Sequence, residues 1–313
     1  MHVSIATHVA TAIKRLTPLL AFSVGFGLFW VPVTNAEPGL RTQANAVMPV
    51  SLWASKSGRG EFERALLQAI LERTKDRYPA YQFSVIHDSL GTQRGRQVIA
   101  DGEQANVYVS GLREDNFTRE QQILMVHQPT MKGLMGYRAA IIRADDAERY
   151  ARAASESDLR SLVIGQGRDW EDAKILRFNH YTVNDNGRFN NLFEMLSYGR
   201  FDALLLGAAE ANQELAASPL KAQLSVAGQP IIYYPHAMVF QVSGKYPELA
   251  QRIAEGFKRL IQDGTHEQLL NQYFGDIIRH ISDKNTRIIV LKHPNPSLMP
   301  ELKQPLLRHQ SVP

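Results

Sequence analysis

The sequence predicts an α/β fold in which two similar units each hold a mostly parallel sheet flanked by helices. Short apolar runs of strand length alternate with amphipathic helices, and this alternation occurs twice along the chain. The chain has 313 residues and no cysteine, so a packed core must stabilise it without disulfides. This length is enough for two domains of ordinary size.

The first unit begins with an apolar-rich run at Met48–Ser55, which predicts a buried strand ending in small polar residues. Apolar residues at helical spacing predict an amphipathic helix over Gly60–Tyr78. Two further strands are predicted at Tyr81–Asp88 and Ala105–Gly111, with a helix between them that is closed by Gly102.

The second unit repeats this order of elements. A strand, a helix, a short strand, a helix and a strand are predicted in turn at Asp158–Gly167, Arg168–His180, Tyr181–Asp185, Gly187–Gly199 and Phe201–Gly207. The parallel-sheet architecture of the first unit is therefore expected here as well.

Two connections are expected to join the units, one near residues 136–144 and one near residues 232–240. Two amphipathic helices follow the second connection. If these helices return to the first unit, two strands cross between the units and form a natural hinge. Residues 291–313 are rich in proline and polar side chains, which predicts an extended C-terminal tail.

Residues 1–36 have the three-part pattern of a secretory signal peptide. Lys14 and Arg15 precede an apolar core, and small or polar residues lead to a predicted cleavage site after Ala36. Retention of the core as a membrane anchor is the alternative, because the core is nearly long enough to span a bilayer. Without cysteine the chain cannot follow the lipoprotein route, so we expect a periplasmic protein.

The charge of the chain gives no indication of nucleic-acid binding. The formal net charge is +4, and it falls to +2 without the leader, which holds two basic and no acidic residues. No cofactor or metal is expected, because the glycines at 165 and 167 lack the third glycine of the dinucleotide fingerprint. His87 and Asp88 have no third metal ligand close in sequence.

Three motifs in the expected order resemble those of family 3 extracellular solute-binding proteins, the periplasmic proteins of amino-acid-type ABC importers: "DLRSLVIGQG", "LSYGRFDALLLG" and "PELAQRIAEGFKRLIQDGTHEQLLNQYFG". The resemblance covers about Val47–Gly275. Three shorter motifs resemble a little-characterised subgroup of these proteins: "GLMGYR", "GQGRDW" and "NPSLMP".

This resemblance implies a type II periplasmic binding protein with a two-strand hinge. Its first lobe would comprise residues 47–140 plus 236–290, and its second lobe residues 141–235. The implied function is that of a monomeric, non-enzymatic protein that closes on a small polar ligand, such as a carboxylate, for delivery to an ABC permease. The alternatives are an orphan sensor that docks on a membrane signalling protein, or a dehydratase-like enzyme with Glu210 as its general acid or base.

The resemblance also implies which residues contact the ligand. Arg119, in "SGLREDNFTREQQI", matches an arginine that grips the ligand carboxylate, and a guanidinium suits that role because it binds carboxylates bidentately. The alternative is a solvated arginine on a helix surface. Ser110 and Gly111 end the third strand and match another contact region.

The loop after the strand at residues 158–167 is a second candidate, because it opens a helix whose exposed N–H groups favour anions. Gly167 would let a ligand approach the backbone, Arg168 would add charge and Trp170 would form a wall. Asp169 belongs to the same loop. Alternatively, Asp169 only caps the helix and Trp170 packs between the lobes.

Strand ends supply the remaining candidates. Trp53 and Ser55 follow the first strand, where open α/β sheets place ligand groups, although Trp53 is also suited to the core. Relatives that bind amino acids usually have an aspartate where this chain has Gly207. Glu210 lies three residues further on and either replaces that aspartate or begins a helix.

Overall fold

The computed structural model describes residues 47–55, 58–87, 92–112, 123–152 and 155–295. Its strands are β1 (Met48–Trp53), β2 (Tyr81–Ile86), β3 (Val107–Gly111), β4 (Ile123–Val126), β5 (Tyr137–Arg143), β6 (Val163–Gly167), β7 (Thr182–Gly187), β8 (Ala203–Gly207), β9 (Leu224–Val226), β10 (Ile231–Tyr233), β11 (Met238–Ser243) and β12 (Ile288–Val290). Its helices are α1 (Gly58–Glu72), α2 (Thr92–Asp101), α3 (Ala147–Arg152), α4 (Glu156–Arg160), α5 (Glu171–Phe178), α6 (Phe189–Ser197), α7 (Ala211–Ala217), α8 (Pro247–Gln262) and α9 (Thr265–Ser282).

The first sheet has the strand order β2-β1-β3-β11-β4. β1 is parallel to β2 and β3, whereas β11 is antiparallel to β3 and β4. Side chains alternate along β1, so Leu52 joins the core formed with α1, α8 and α9, and Trp53 faces Ile99 of α2 on the opposite side. This sheet with its four helices is the first lobe.

The second sheet has the order β12-β10-β5-β8-β6-β7, and β9 pairs with β5. β6 is parallel to β7 and β8, and β5 is antiparallel to β8. Leu205 of β8 faces the core that includes α5, and Leu206 faces the core that includes α6 and α7. This sheet with α3 to α7 is the second lobe. The predicted α/β architecture is confirmed, and each sheet is mixed because the connecting strands run against their neighbours.

The two predicted crossings between the lobes lie side by side. The chain passes to the second sheet between β4 and β5 through a 3₁₀ turn at Leu134–Gly136, and it returns between β10 and β11. The N–H of Tyr234 donates to the carbonyl of Gly136 at 3.1 Å, which joins one connection to the other.

β12 adds a third crossing that the sequence did not predict. α9 packs on α1 and α8 in the first lobe, whereas β12 pairs in parallel with β10 in the second sheet. Residues 288–290 therefore differ from the boundary prediction, which assigned residues up to 290 to the first lobe. The apolar run Ile288–Leu291 has only four residues, too few to be identified as a strand. Residues 137–140 differ as well, because they belong to β5 of the second sheet, whereas the prediction assigned residues up to 140 to the first lobe. The other lobe boundaries stay predictions.

The first residues of the predicted tail are held against the second lobe. The side chain of Asn179 donates to the carbonyl of Lys292 at 2.7 Å and accepts from the N–H of Lys292 at 2.9 Å. Leu291 is buried, and its N–H donates to the carbonyl of Tyr233. The tail beyond residue 295 and the predicted signal peptide lie outside the described residues.

The first lobe contains a buried arginine, Arg252 of α8, which is fully inaccessible to solvent. Its guanidinium donates to the hydroxyl of Thr74 and to the carbonyls of Leu71 and Pro79, at 2.9–3.0 Å. The ring of Tyr81 lies 5.0 Å from the guanidinium carbon. Every nitrogen of this guanidinium therefore has a partner, as a buried charge requires.

Candidate functional site

Charged side chains gather where the carboxyl ends of strands in the two sheets approach each other. We call this group the interlobe cluster, and it consists of Arg59, Glu63, Arg138, Asp172, Glu210, Tyr234 and His236. The first two residues belong to α1 of the first lobe, and the others belong to the second lobe or to its connection with the first. Open α/β sheets bind ligands at such strand ends.

Arg59 joins the lobes. Its Nη1 lies 3.1 Å from Oε1 of Glu63 one helical turn away, and its Nε lies 3.1 Å from Oε2 of Glu210 in the second lobe. Burial alone would lower the pKa of Arg59, but Glu63 and then Glu210 raise it above its usual value. The guanidinium therefore stays charged between two carboxyl groups from different lobes.

A second contact between the lobes lies beside this ion pair. The backbone N–H of Gly58, at the start of α1, donates to Oε1 of Gln213 in the first turn of α7 at 2.8 Å. The first N–H groups of a helix have no partner within the helix. Here a side chain of the other lobe supplies that partner.

Glu63 is the acid of the cluster whose protonation changes near neutral pH. Its side chain is 2% exposed. Burial raises the pKa of Glu63 to about 7, although the charge of Arg59 opposes this shift, and Glu210 adds to it. Strongly perturbed carboxyl groups of this kind are common in functional sites and also occur in structural ion-pair networks.

Arg138 is the buried cation of the second lobe. It lies opposite Gly207 in the pairing of β5 with β8, and its side chain is 4% exposed. Its Nη2 lies 2.8 Å from Oδ1 of Asp172, and the hydroxyl of Tyr234 donates to the same oxygen at 2.6 Å. Burial would raise the pKa of Asp172, but Arg138, His236 and the hydrogen bond from Tyr234 together lower it, so the carboxylate is ionised.

Several arginine N–H groups of the cluster are buried without a hydrogen bond. These are Nε of Arg59 and both Nε and Nη2 of Arg138. Nε of Arg59 and Nη2 of Arg138 are within ion-pair distance of a carboxylate, but their N–H directions do not meet hydrogen-bond geometry. Each buried donor without a hydrogen bond lowers the stability of the folded state by about 1–3 kcal/mol. A ligand that accepts from these groups would recover that loss.

His236 lies between the two sheets, in the connection from β10 to β11. A Cβ atom on Gly111 at the end of β3 would stand 3.2 Å from Cε1 of its ring. Burial, and then the charge of Arg138, lower the pKa of His236 to about 4, and His293 acts in the same direction. The imidazole is therefore neutral at neutral pH, with one nitrogen that donates and one that accepts.

The structure places Trp53 inside the first lobe. It is 7% exposed, its ring stacks on Tyr108 at 4.4 Å, and a Cβ on Gly95 would lie 2.0 Å from its indole. This packing supports the core alternative for Trp53. Ser55 lies against the start of α1, where its carbonyl oxygen would be 2.0 Å from a Cβ on Gly60. Ligand contact by either residue stays a prediction.

Ser110 and Gly111 lie beside the cluster. A hydrogen bond links Ser110 to the side chain of Tyr108, which is close enough to Arg59 to raise its pKa. Gly111 approaches His236, where the space beyond its Cα is occupied by the imidazole. Both predicted residues therefore border the interlobe cluster, and their contact with a ligand stays a prediction.

The predicted loop at residues 167–170 forms a tight turn before α5. A Cβ on Gly167 would stand 2.4 Å from Cε2 of Trp170, so the absence of a side chain there makes room for the indole. Asp169 has a positive φ of 64°, and exposed Arg168 donates to the carbonyl of Asn186 at 2.7 Å. These contacts give the turn a packing role, and its contact with a ligand stays a prediction.

Glu210 does not cap α7 with its side chain, although it occupies the N-cap position. Its carboxylate pairs with Arg59, which joins it to the first lobe. A Cβ on Gly207 would lie 2.6 Å from Cε of Met135 and 3.2 Å from Oε1 of Glu210. These two side chains fill the space that a side chain at position 207 would take. Arg119 lies outside the described residues.

Sequence reasoning missed six members of the cluster: Arg59, Glu63, Arg138, Asp172, Tyr234 and His236. Arg138 had a signal, because an arginine inside the apolar strand "YRAAIIR" must be buried with a partner. Arg59 and Glu63 are four residues apart on an amphipathic helix, which is the spacing of an ordinary surface ion pair. The pair differs from an ordinary surface ion pair because Glu210 of the second lobe also contacts Arg59.

Within the described residues, no three or more His, Asp or Glu side chains form a group able to hold a metal ion. No helix among the same residues is long and apolar enough to cross a membrane.

No protein-family model matches the sequence, and no curated protein matches it. Solved structures do match the fold. An ancestral arginine-binding protein bound to glutamine has a TM-score of 0.53 at 16% identity, covering 74% of this chain and 100% of its own. An amino acid ABC transporter substrate-binding protein from Streptococcus pneumoniae bound to L-arginine has a TM-score of 0.52 at 14% identity, covering 72% and 94%. This chain has the two-lobed fold of those proteins.

The VFT2 domain of BvgS from Bordetella pertussis is also similar, with a TM-score of 0.51 at 14% identity over 72% of this chain and 93% of that domain. Identities this low establish a shared fold and leave the ligand open. The interlobe cluster lies between the lobes of that fold. Its own residues therefore have to indicate which ligand it binds.

Proposed function

We propose that this protein is a solute-binding protein that closes its two lobes on a small polar, carboxylate-bearing ligand and delivers it to an ABC importer. The fold supports this proposal, since similar structures include proteins bound to L-arginine and to glutamine. Sites between two domains are common places for small ligands.

The observation that carries the proposal is the buried guanidinium of Arg138. It is 4% exposed and has two N–H groups without hydrogen bonds, at the end of the second sheet that faces the first lobe. An arginine fork binds a carboxylate through two parallel hydrogen bonds. Arg119 is a further proposed contact for the ligand carboxylate.

Closure would follow from contacts that the ligand makes with both lobes at once. A ligand shifts a conformational equilibrium only by its differential affinity for the two states. A shift from mostly open to mostly closed needs about 5.5 kcal/mol. Hydrogen bonds to charged groups contribute about 1.5–3 kcal/mol each, so a few bonds to arginines of both lobes would be sufficient.

The proposal includes export and a membrane partner. Residues 1–36 would act as a cleaved signal peptide, and the mature protein would work as a monomer in the periplasm. Its partner would be an ABC permease that recognises the closed form. Protease mapping of the mature N-terminus tests the cleavage after Ala36, and size-exclusion chromatography tests the monomer.

A thermal-shift screen of the mature protein tests the binding function. The panel contains amino acids, organic acids, sugars and oligopeptides. A ligand present at 100 times its dissociation constant stabilises the folded state by about 2.7 kcal/mol, which a rise in melting temperature reports. No response to any compound in the panel would contradict a solute-binding function.

A sensor that docks on a membrane signalling protein is the second candidate. The contacts of Arg59 with Glu210 and of Gly58 with Gln213 favour it, because they join the lobes through groups of the protein itself. Such contacts would let the lobe arrangement serve as a signal. A neighbouring gene for a permease supports the importer, and one for a histidine kinase supports the sensor.

We propose no enzymatic activity. A dehydratase-like reaction needs a carboxyl group with a raised pKa beside the substrate. Glu63 has such a pKa, but its carboxylate is held by Arg59, and the candidate Glu210 is held there too. Chemical change of a bound ligand, followed by NMR, would contradict this part of the proposal.

A further inference from the structure

The unsatisfied groups of the interlobe cluster are hydrogen-bond donors. Nε of Arg59 and Nε and Nη2 of Arg138 lack hydrogen bonds, and all three belong to positively charged groups. These donors come from both lobes. A ligand that satisfies them must supply acceptor atoms, and carboxylate oxygens are the strongest acceptors for a guanidinium.

The carboxyl groups of the cluster already have cationic partners. Asp172 pairs with Arg138 and accepts from Tyr234, and Glu63 and Glu210 share Arg59. A ligand ammonium group would either separate one of these acids from its arginine, which leaves a buried cation without its partner, or lie as a second cation beside that arginine, which like-charge repulsion opposes.

The space beside Gly207 is filled by side chains of the protein. The methyl group of Met135 would lie 2.6 Å from a Cβ at this position, and Glu210 Oε1 would lie 3.2 Å from it. A thioether methyl cannot accept a hydrogen bond, and the guanidinium of Arg59 already lies against the other oxygen of Glu210, Oε2.

We propose that the ligand is a carboxylic acid without an ammonium group next to the carboxylate, held by Arg138 and Arg59 together. This inference rests on the proposed solute-binding function and names the ligand class of the same site. One ligand carboxylate accepts from Arg138 in the second lobe. A second acceptor group of the ligand accepts from Nε of Arg59, whose N–H makes no hydrogen bond with Glu210.

The contact at Arg59 links binding to the lobes. Glu210 of the second lobe already forms an ion pair with Arg59 of the first lobe. A dicarboxylate that accepts from Arg138 and from Arg59 adds a second link between the same two lobes. The ligand thereby reinforces a contact that the protein makes with itself.

Matched pairs of acids test the inference, since their members differ only by an α-ammonium group. The pairs are succinate with L-aspartate and glutarate with L-glutamate, each titrated into the mature protein by calorimetry. We expect the member without the ammonium group to bind at least tenfold more tightly in one or more pairs. Equal or tighter binding of the amino acid in every pair that binds would overturn the inference.

Two variants locate the effect. Arg138→Lys keeps the positive charge beside Asp172 but loses the two-pronged fork, so succinate or glutarate binding should weaken at least tenfold. Arg252→Lys is the matched control, because Arg252 is also buried but lies within the first lobe. It should lower the melting temperature and leave the dissociation constant unchanged. Equal loss of affinity in both variants, or in neither, would contradict a ligand contact by Arg138.

Failure of the inference is distinguishable from failure of the proposed function. If an amino acid, a sugar or a peptide binds and the simple acids do not, the solute-binding function stands and the ligand class is wrong. If no member of the wider panel binds, both are wrong. Circular dichroism of each variant confirms that a lost response is not a lost fold.

Discussion

Two buried arginines of this protein have opposite surroundings. Arg252 in the first lobe directs its guanidinium to a hydroxyl and two carbonyls, and each of its nitrogens has a partner. Arg138 in the second lobe forms an ion pair with Asp172 and lies 5.1 Å from the ring of Tyr234, but two of its nitrogens lack hydrogen bonds. Both are almost inaccessible to solvent.

The difference separates a structural charge from one that is available to a ligand. A buried guanidinium that contributes only to stability is expected to have its donors satisfied by the fold, as those of Arg252 are. A ligand site has donors without hydrogen bonds when no ligand is bound, and this lowers the stability of the folded state. Neither burial nor charge distinguishes the two residues; the distinction lies in the directions of their N–H groups.

The largest expected effect is the replacement of Arg252 by methionine. The substitution removes three hydrogen bonds made by a charged group, to the hydroxyl of Thr74 and to the carbonyls of Leu71 and Pro79. We expect the free energy of unfolding to fall by about 3–5 kcal/mol, measured by urea denaturation. A fall of less than about 1 kcal/mol in the free energy of unfolding would contradict a structural role for Arg252 that Arg138 lacks.

The next effect is a pH dependence that originates at Glu63. The pKa of Glu63 is about 7 in the folded protein against an ordinary value of 4.5, so between these values the folded state holds a proton that the unfolded state has released. The free energy of unfolding should therefore decrease as pH rises from 4.5 to 7, by on the order of 3 kcal/mol, and level off above that range.

Glu63→Gln is the variant that isolates this contribution. It cannot ionise, so the difference in unfolding free energy between wild type and variant should itself change with pH across this window. Denaturation curves at pH 5, 6, 7 and 8 measure that difference. A constant difference over the four pH values would show that Glu63 does not titrate as inferred.

A smaller effect on the free energy of unfolding is expected from removing Arg138 together with Asp172. Arg138→Met alone leaves Asp172 as a buried charge without its cation, which should cost about 3 kcal/mol. The double variant Arg138→Met, Asp172→Asn removes both charges and keeps an acceptor for Tyr234. We expect it to lie within about 1 kcal/mol of wild type in urea denaturation. A double variant no more stable than the single one would place Arg138 in the structural class of Arg252.

The smallest effect concerns the ion pair between the lobes. Glu210→Gln removes one charge from a partly exposed pair, so the loss of stability should be about 1 kcal/mol or less. Its effect on lobe arrangement should be larger than its effect on stability, because Glu210 is the contact of Arg59 in the other lobe. Small-angle scattering should give a larger radius of gyration for the variant. Lys174→Gln, on an exposed pair within α5, is the control and should leave that radius unchanged.

The sequence predicted the fold because the fold depends on local patterns. The apolar run that ends at Gly207 and the helix that precedes this run each show the periodicity of their own secondary structure. Both are present, as β8 and α6. β12 escaped prediction because only three residues pair, and their partner β10 is more than fifty residues away in sequence. Pairing of that kind is set by tertiary packing.

The site was predicted less well for a physical reason. Glu210 was singled out by its place after a buried strand, and it does reach the other lobe. Trp53, chosen by the same rule, faces α2 because strand side chains alternate between faces, and the last residue of β1 points away from α1. The position of a strand end is readable from sequence, but the face on which each side chain lies depends on a register that one residue can reverse.

The strand β12 has a consequence for the range of shapes open to the protein. Each chain segment that ties the lobes together removes open arrangements that two connections alone would permit. Under the proposed function, the protein would therefore lose less configurational freedom when it closes, and the same set of contacts would yield a tighter complex. A strand of three residues would thus contribute to the affinity.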